Sequence, residues 1–170
     1  MRLLDVVDDR DSGAWISDDG LYRYRLWRCW GDGPTMAFAM LNPSTADATT
    51  DDPTIRRCLG FAKREGCGSL QVVNLYALRA TKPAHLLDHP DPEGPENPMA
   101  WAEVLYEPNT VAVAAWGAKV ALGGLRGLDG LPGSKALRGS SPGWRCLGTT
   151  KCGAPRHPLY VRADQELIPW

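Results

Sequence analysis

Ala37-Phe38-Ala39-Met40-Leu41-Asn42-Pro43-Ser44-Thr45-Ala46-Asp47 is the stretch on which the fold turns. The apolar run begins after Thr35 and stops abruptly at Asn42. An unbroken run of this kind reads as a strand buried on both faces. In α/β folds, ligands bind outside the carboxyl ends of such strands. Asn42-Pro43-Ser44-Thr45 therefore sets an amide, a rigid turn and two hydroxyls where a ligand would lie. The same Asn-Pro step also suits a plain strand stop.

Working outward, two further apolar runs behave alike. Ser69–Tyr76 ends in Asn74-Leu75-Tyr76, and Thr110–Trp116 ends in Trp116-Gly117. Between the first two lies a helix signature. Asp52 can cap, Pro53 suits the first helical position, Ile55, Leu59 and Ala62 keep helical spacing, and Gly66 stops it. Gly94-Pro95-Glu96-Asn97-Pro98 leads into a second helix across Trp101 and Leu105, and a third is expected beyond Gly117. Leu21–Trp30 alternates apolar and basic residues, as a strand with one wet face would. Trp144–Leu147 reads as a short strand and Gly127–Gly143 as a mobile basic loop. Apolar strands alternating with helices imply βαβ units. The expected fold is a three-layer α/β/α domain with a mainly parallel, four- or five-stranded central sheet. Residues 1–20 read as a polar lead-in and 21–170 as a single domain.

Composition narrows the class. Of 170 residues, 44% are hydrophobic and 23% charged, ordinary for a water-soluble domain. No apolar run approaches a membrane span, and Asp5, Asp8 and Asp9 oppose a signal peptide's basic start. A cytoplasmic monomer is expected. Five cysteines without a C-x-x-C pair suit reduced thiols. Cys146, Cys152 and His157 are the set weighed as metal ligands, and no metal or cofactor is expected. Gly-rich nucleotide fingerprints are absent. The net charge of −1 hides an asymmetry. Residues 1–20 hold two Arg against six Asp, whereas 119–162 hold eight Lys and Arg against Asp129 alone. The basic segment favours a polyanion. A pI near 6.3 argues against tight, indiscriminate nucleic-acid binding.

Four polar clusters thus fall at strand ends: Asn42-Pro43-Ser44-Thr45, Asn74 to Pro83, Trp116-Gly117, and Arg156-His157-Pro158-Leu159-Tyr160. In a parallel sheet these ends share one edge. An Asn offers a donor and an acceptor together, which suits the edge of a base. A neutral His can donate to a developing oxyanion, and Trp or Tyr can stack on a base.

The motifs Leu-Asn-Pro-Ser-Thr-Ala-Asp from Leu41, Val-Asn-Leu-Tyr-Ala-Leu-Arg-Ala-Thr from Val73, Gly-Pro-Glu-Asn from Gly94 and Arg-His-Pro-Leu-Tyr from Arg156 resemble an uncharacterised bacterial and phage domain family. The same landmarks also resemble the uracil-DNA glycosylase superfamily. Met40-Leu41-Asn42-Pro43-Ser44 is similar to the Gly-Ile-Asn-Pro-Gly motif of its mismatch-specific branch. Val72-Val73-Asn74, Trp116-Gly117 and His157-Pro158-Leu159 look like its later motifs. The resemblance implies a glycosylase-like fold and a set of roles. Asn42 would position the hydrolytic water, and His157 would donate to the base as charge builds. Asn74 would read the edge of a flipped pyrimidine, with Tyr76, Ser44 and Thr45 around the base. Arg79, Lys151 and Arg156 would contact phosphates.

One departure matters. The uracil-specific branch has an Asp that activates water, and Asn42 cannot act as a base, so hydrolysis is expected to be slower. Asp47 is the carboxylate assigned to replace it, with Asp52 as an alternative. The expected activity is hydrolysis of the N-glycosidic bond of uracil or another modified pyrimidine in DNA, modified or single-stranded DNA included. Two alternatives stay open: base modification or nucleotide processing on the same fold, and a non-catalytic nucleic-acid binding module.

Overall fold

The computed structural model describes residues 12–118 and 143–170. Strands run over Ser12–Ile16 (β1), Arg23–Cys29 (β2), Thr35–Met40 (β3), Ser69–Asn74 (β4), Thr110–Ala114 (β5), Arg145–Cys146 (β6) and Ile168–Pro169 (β7). Helices cover Pro53–Arg64 (α1), His85–Asp88 (α2) and Asn97–Leu105 (α3), with a 3-10 turn at Pro158–Tyr160. The sheet order is β1-β2-β4-β3-β5-β6-β7.

This corrects the expected architecture. The sheet has seven strands and is mixed. Pairings β4/β3, β3/β5 and β5/β6 are parallel, whereas β1/β2, β2/β4 and β6/β7 are antiparallel. Among the described residues there are three α-helices, and one of them is a four-residue turn. A three-layer α/β/α domain around a mainly parallel sheet of four or five strands, glycosylase-like, is therefore not what this chain builds. The physical reason lies at the edges. β1 falls within the polar stretch before residue 21, and its residues are mostly half-buried, so no apolar run marks it. β7 is two exposed residues, one of them Pro, which only an edge strand tolerates. The strand read at Leu21–Trp30 exists as β2, but alternation carries no information about its direction. The helix and the mobile loop expected within 119–142 lie outside the described residues.

The centre follows the sequence more closely. β3 is buried along its whole length, and β4 and β5 nearly so. α1 begins as read: the Asp52 carboxylate accepts from the Ile55 N–H at 2.9 Å, Pro53 opens the first turn, and Gly66 follows at φ 73°. Its apolar face (Ile55, Cys58, Phe61 and Ala62) packs with Phe38, Leu70 and Val72 on one side of the sheet. α3 packs Ala100, Trp101 and Val104 with Tyr22, Tyr24 and Val73 on the other.

One irregularity re-aims a side chain. Ile16 pairs with Arg23, but Trp15 pairs with Arg25, so the register slips by one residue. An extra residue in one strand flips the faces beyond it. Tyr24 consequently packs in the α3-side core and Leu26 in the α1-side core. Arg23 is turned to the α1 side, where its Nη1 donates to the Ala46 carbonyl at 2.8 Å. The wet face expected of Leu21–Trp30 is not wet at this point: Arg23 is only 2% exposed.

Candidate functional site

The carboxyl ends of β3, β4 and β5 open into a cleft of about 590 Å³, within the range of small-ligand sites. Its wall and floor combine residues from four clusters: Asn42 and Ser44, Asn74, Trp116 and Gly117, and His157. Arg23, Asp52 and Thr54 line it as well.

Asn74 ends β4 and is 1% exposed. Neither its Nδ2 nor its Oδ1 has a hydrogen-bond partner among the described residues. Buried amides are normally satisfied, because leaving one unpaired costs about 1–3 kcal/mol per group. Its backbone carbonyl, by contrast, accepts from Asn97 Nδ2 at 3.0 Å and Trp101 Nε1 at 2.8 Å. The chain is thus pinned by its backbone while the carboxamide, in a residue that lines the cleft, is left unpaired.

Asn42 is committed differently. Its Nδ2 donates to the carbonyls of Pro43 (3.0 Å) and Ala80 (2.8 Å), which ties the first cluster to the second. Oδ1 is the atom of this amide that remains to accept from a ligand or a water. His157 precedes the 3-10 turn and its Nδ1 accepts from the Leu159 N–H at 3.2 Å. A ring nitrogen that accepts carries no proton, so the proton of the neutral ring sits on Nε2. Gly117, at φ 75°, donates its N–H to the Pro155 carbonyl at 2.9 Å, and a Cβ there would lie 3.5 Å from His157 Cβ. The end of β5 and the His157 segment are packed together in this way.

Charge inside the cleft comes from Arg23 and Asp52. Burial lowers Arg23 to about 10, against a smaller opposing effect of Asp52, so it stays charged at neutral pH. On the rim, Lys151 and Arg156 are exposed, and Arg156 Nε donates to the Thr149 carbonyl at 3.0 Å. Tyr160 is 74% exposed and its ring lies 5.5 Å from that of His157.

Of the expected site residues, Asn42, Ser44, Asn74, Lys151, Arg156 and His157 share this cleft. Four others are placed elsewhere. Tyr76 is buried in the α3-side core. Thr45 is exposed and is not part of the cleft lining. Arg79 directs Nη1 at the Gly20 carbonyl in the β1–β2 turn. Asp47 folds its carboxylate back on the N–H groups of Thr49 (3.0 Å) and Thr50 (2.8 Å), which hold it below the usual carboxylate range. A carboxylate held ionised by two backbone donors is a poor proton acceptor. Asp52, read first as a helix cap, is the carboxylate that reaches the cleft. Arg23 was missed altogether, because a register slip leaves no mark in the sequence. Cys146 is buried and Cys152 exposed, and no group of three His, Cys, Asp or Glu side chains suited to a metal occurs among the described residues. No described helix is long and apolar enough to cross a membrane.

No curated protein and no solved structure is significantly similar to this chain. The family described as "Protein of unknown function (DUF1643)" matches residues 23–159, which span the cleft-forming strands and the His157 segment, and the chain belongs to that family.

Proposed function

We propose that the cleft takes a pyrimidine base, flipped from DNA or carried by a free nucleotide, and hydrolyses its N-glycosidic bond. The observation that carries this reading is the Asn74 carboxamide, buried in the cleft with its donor and acceptor both unpaired. A pyrimidine edge presents a matching acceptor and donor side by side. A site built to hydrogen-bond a ligand discriminates strongly against one that leaves those groups unpaired.

The chemistry follows from the neighbours. The bond between the sugar C1′ and the base nitrogen breaks, and its electron pair leaves with the base. The proton on His157 Nε2 faces the charge that develops on a base oxygen. Water adds to C1′, oriented by Asn42 Oδ1. Asp52 supplies the carboxylate that takes the water's proton; the base leaves as an anion whose charge the His157 N–H holds by hydrogen bonding, and it takes its proton from solvent. The exposed Lys151 and Arg156 on the rim favour a polyanionic substrate. They also support the second reading, a module that binds nucleic acid without turnover.

The test is base release. Uracil- and modified-pyrimidine oligonucleotides, single- and double-stranded, and the matching nucleotides are incubated with the protein at high concentration. Free base is quantified by mass spectrometry. Released base, lost by about a hundredfold or more in Asn74→Ala, is the expected result. Salt-sensitive binding without any released base across the panel would replace this reading with the binding module.

A further inference from the structure

We infer that the cleft floor contains an anion subsite centred on Arg23, and that the ligand carries a phosphate group beside its base. The subsite rests on the proposed base site only for the other half of the ligand.

Arg23 is 2% exposed, lines the cleft, and its side chain makes one hydrogen bond among the described residues, from Nη1 to the Ala46 carbonyl. Its Nε is buried without a partner among the described residues. The ion pairs among the described residues join Arg25 to Glu103, Arg28 to Asp51, Arg64 to Glu65 and Arg162 to Asp164. Arg23 is in none of them. Arg28 is the informative contrast. It is also buried, in the same strand, yet it pairs with Asp51 and donates to the carbonyls of Gly13, Trp27 and Asp47. The fold therefore satisfies one buried guanidinium fully and leaves the other short.

Asp52 shares the cleft but does not fill the role. Its Oδ1 is committed to the Ile55 N–H, and no ion pair joins it to Arg23. A buried charge without a paired counter-charge is expensive. A planar guanidinium matches phosphate oxygens better than any neutral group. Ser44 and Thr54 bring hydroxyls to the same cleft. The register slip opposite Arg23 is what turns its side chain to this side of the sheet, and such irregularities often serve sites.

The experiment is calorimetry on the whole chain with uridine, uridine 5′-monophosphate, inorganic phosphate and an unphosphorylated uridine-containing oligonucleotide. Uridine 5′-monophosphate is expected to bind about tenfold or more tighter than uridine, with phosphate competing. Tighter binding of the oligonucleotide, also weakened by phosphate, supports the subsite with a strand phosphodiester as its source. In Arg23→Met the advantage of the phosphorylated ligand disappears. If that variant does not fold, Thr54→Val should reduce the advantage. Equal affinity for uridine and its monophosphate, or no competition by phosphate, overturns the inference. Asn74→Ala separates the two ideas: it should weaken uridine binding while uridine 5′-monophosphate still outbinds uridine and phosphate still competes. Wild-type protein that binds inorganic phosphate but not uridine would sink the base site and leave the anion subsite standing.

Discussion

Asn97 Nδ2 holds the Asn74 carbonyl at 3.0 Å, from the first residue of α3 to the last residue of β4. The same nitrogen lies 3.3 Å from the Leu75 carbonyl, and Trp101 Nε1 adds a third hydrogen bond from one turn further on. Two side chains thus donate three hydrogen bonds where the β4 ladder ends and its carbonyls would otherwise be buried unpaired. The cleft's most informative side chain is aimed by the helix on the opposite face of the sheet.

Asn97→Ala should therefore destabilise the protein by about 1–3 kcal/mol, the penalty for stranding buried carbonyls. Trp101→Phe removes one donor while keeping most of the ring, and should cost about 1 kcal/mol. Urea unfolding measures both. An unchanged midpoint for Asn97→Ala would mean that water reaches these carbonyls.

Asn42→Asp makes a sharper case than Asn42→Ala. The amide nitrogen faces two carbonyl oxygens, and a carboxylate oxygen in its place turns two attractions into repulsions. The Asp variant should be less stable than the Ala variant by about 1–2 kcal/mol. Equal midpoints in paired denaturation curves would show that the loop has moved and that Asn42 does not bridge the two clusters.

Gly94 sits at φ 84°, and a Cβ there would meet Tyr22 Cδ1 at 2.7 Å and Tyr24 Cε1 at 3.0 Å. Gly94→Ala combines a left-handed backbone penalty with overpacking against two core rings, together about 2–4 kcal/mol. The segment it anchors leads straight to Asn97. Thermal unfolding should fall markedly, and ligand affinity at the cleft should fall with it.

Thiol reactivity should separate the cysteines. Burial pushes the Cys58, Cys67 and Cys146 thiols up, whereas Cys152 is exposed and lowered by its contact with Thr150 and by the Ala154 N–H. Iodoacetamide at neutral pH should modify Cys152 before those three, as read by peptide mass mapping. Early modification of Cys58 would contradict the packing of α1 on the sheet.

The sequence by itself determined the central strands and α1. Unbroken apolar runs have few conformations that bury them, and Asp52, Pro53 and Gly66 act through local geometry. It also placed Asn42, Asn74 and Trp116-Gly117 at or just beyond strand ends that share a cleft, whereas His157, read as a strand end too, precedes a 3-10 turn and reaches the same cleft from there. Only the tertiary structure decided the rest. Strand direction at the sheet edges depends on partners distant in the chain, so the mixed seven-stranded sheet was not legible from alternation. Which carboxylate lines the cleft was decided by where each loop folds: Asp47 folds back on the N–H groups of Thr49 and Thr50, whereas Asp52 lines the cleft while capping α1 through the Ile55 N–H. Arg23 enters the cleft because one residue of register is lost opposite it, and a register slip belongs to a pair of strands, not to either sequence alone.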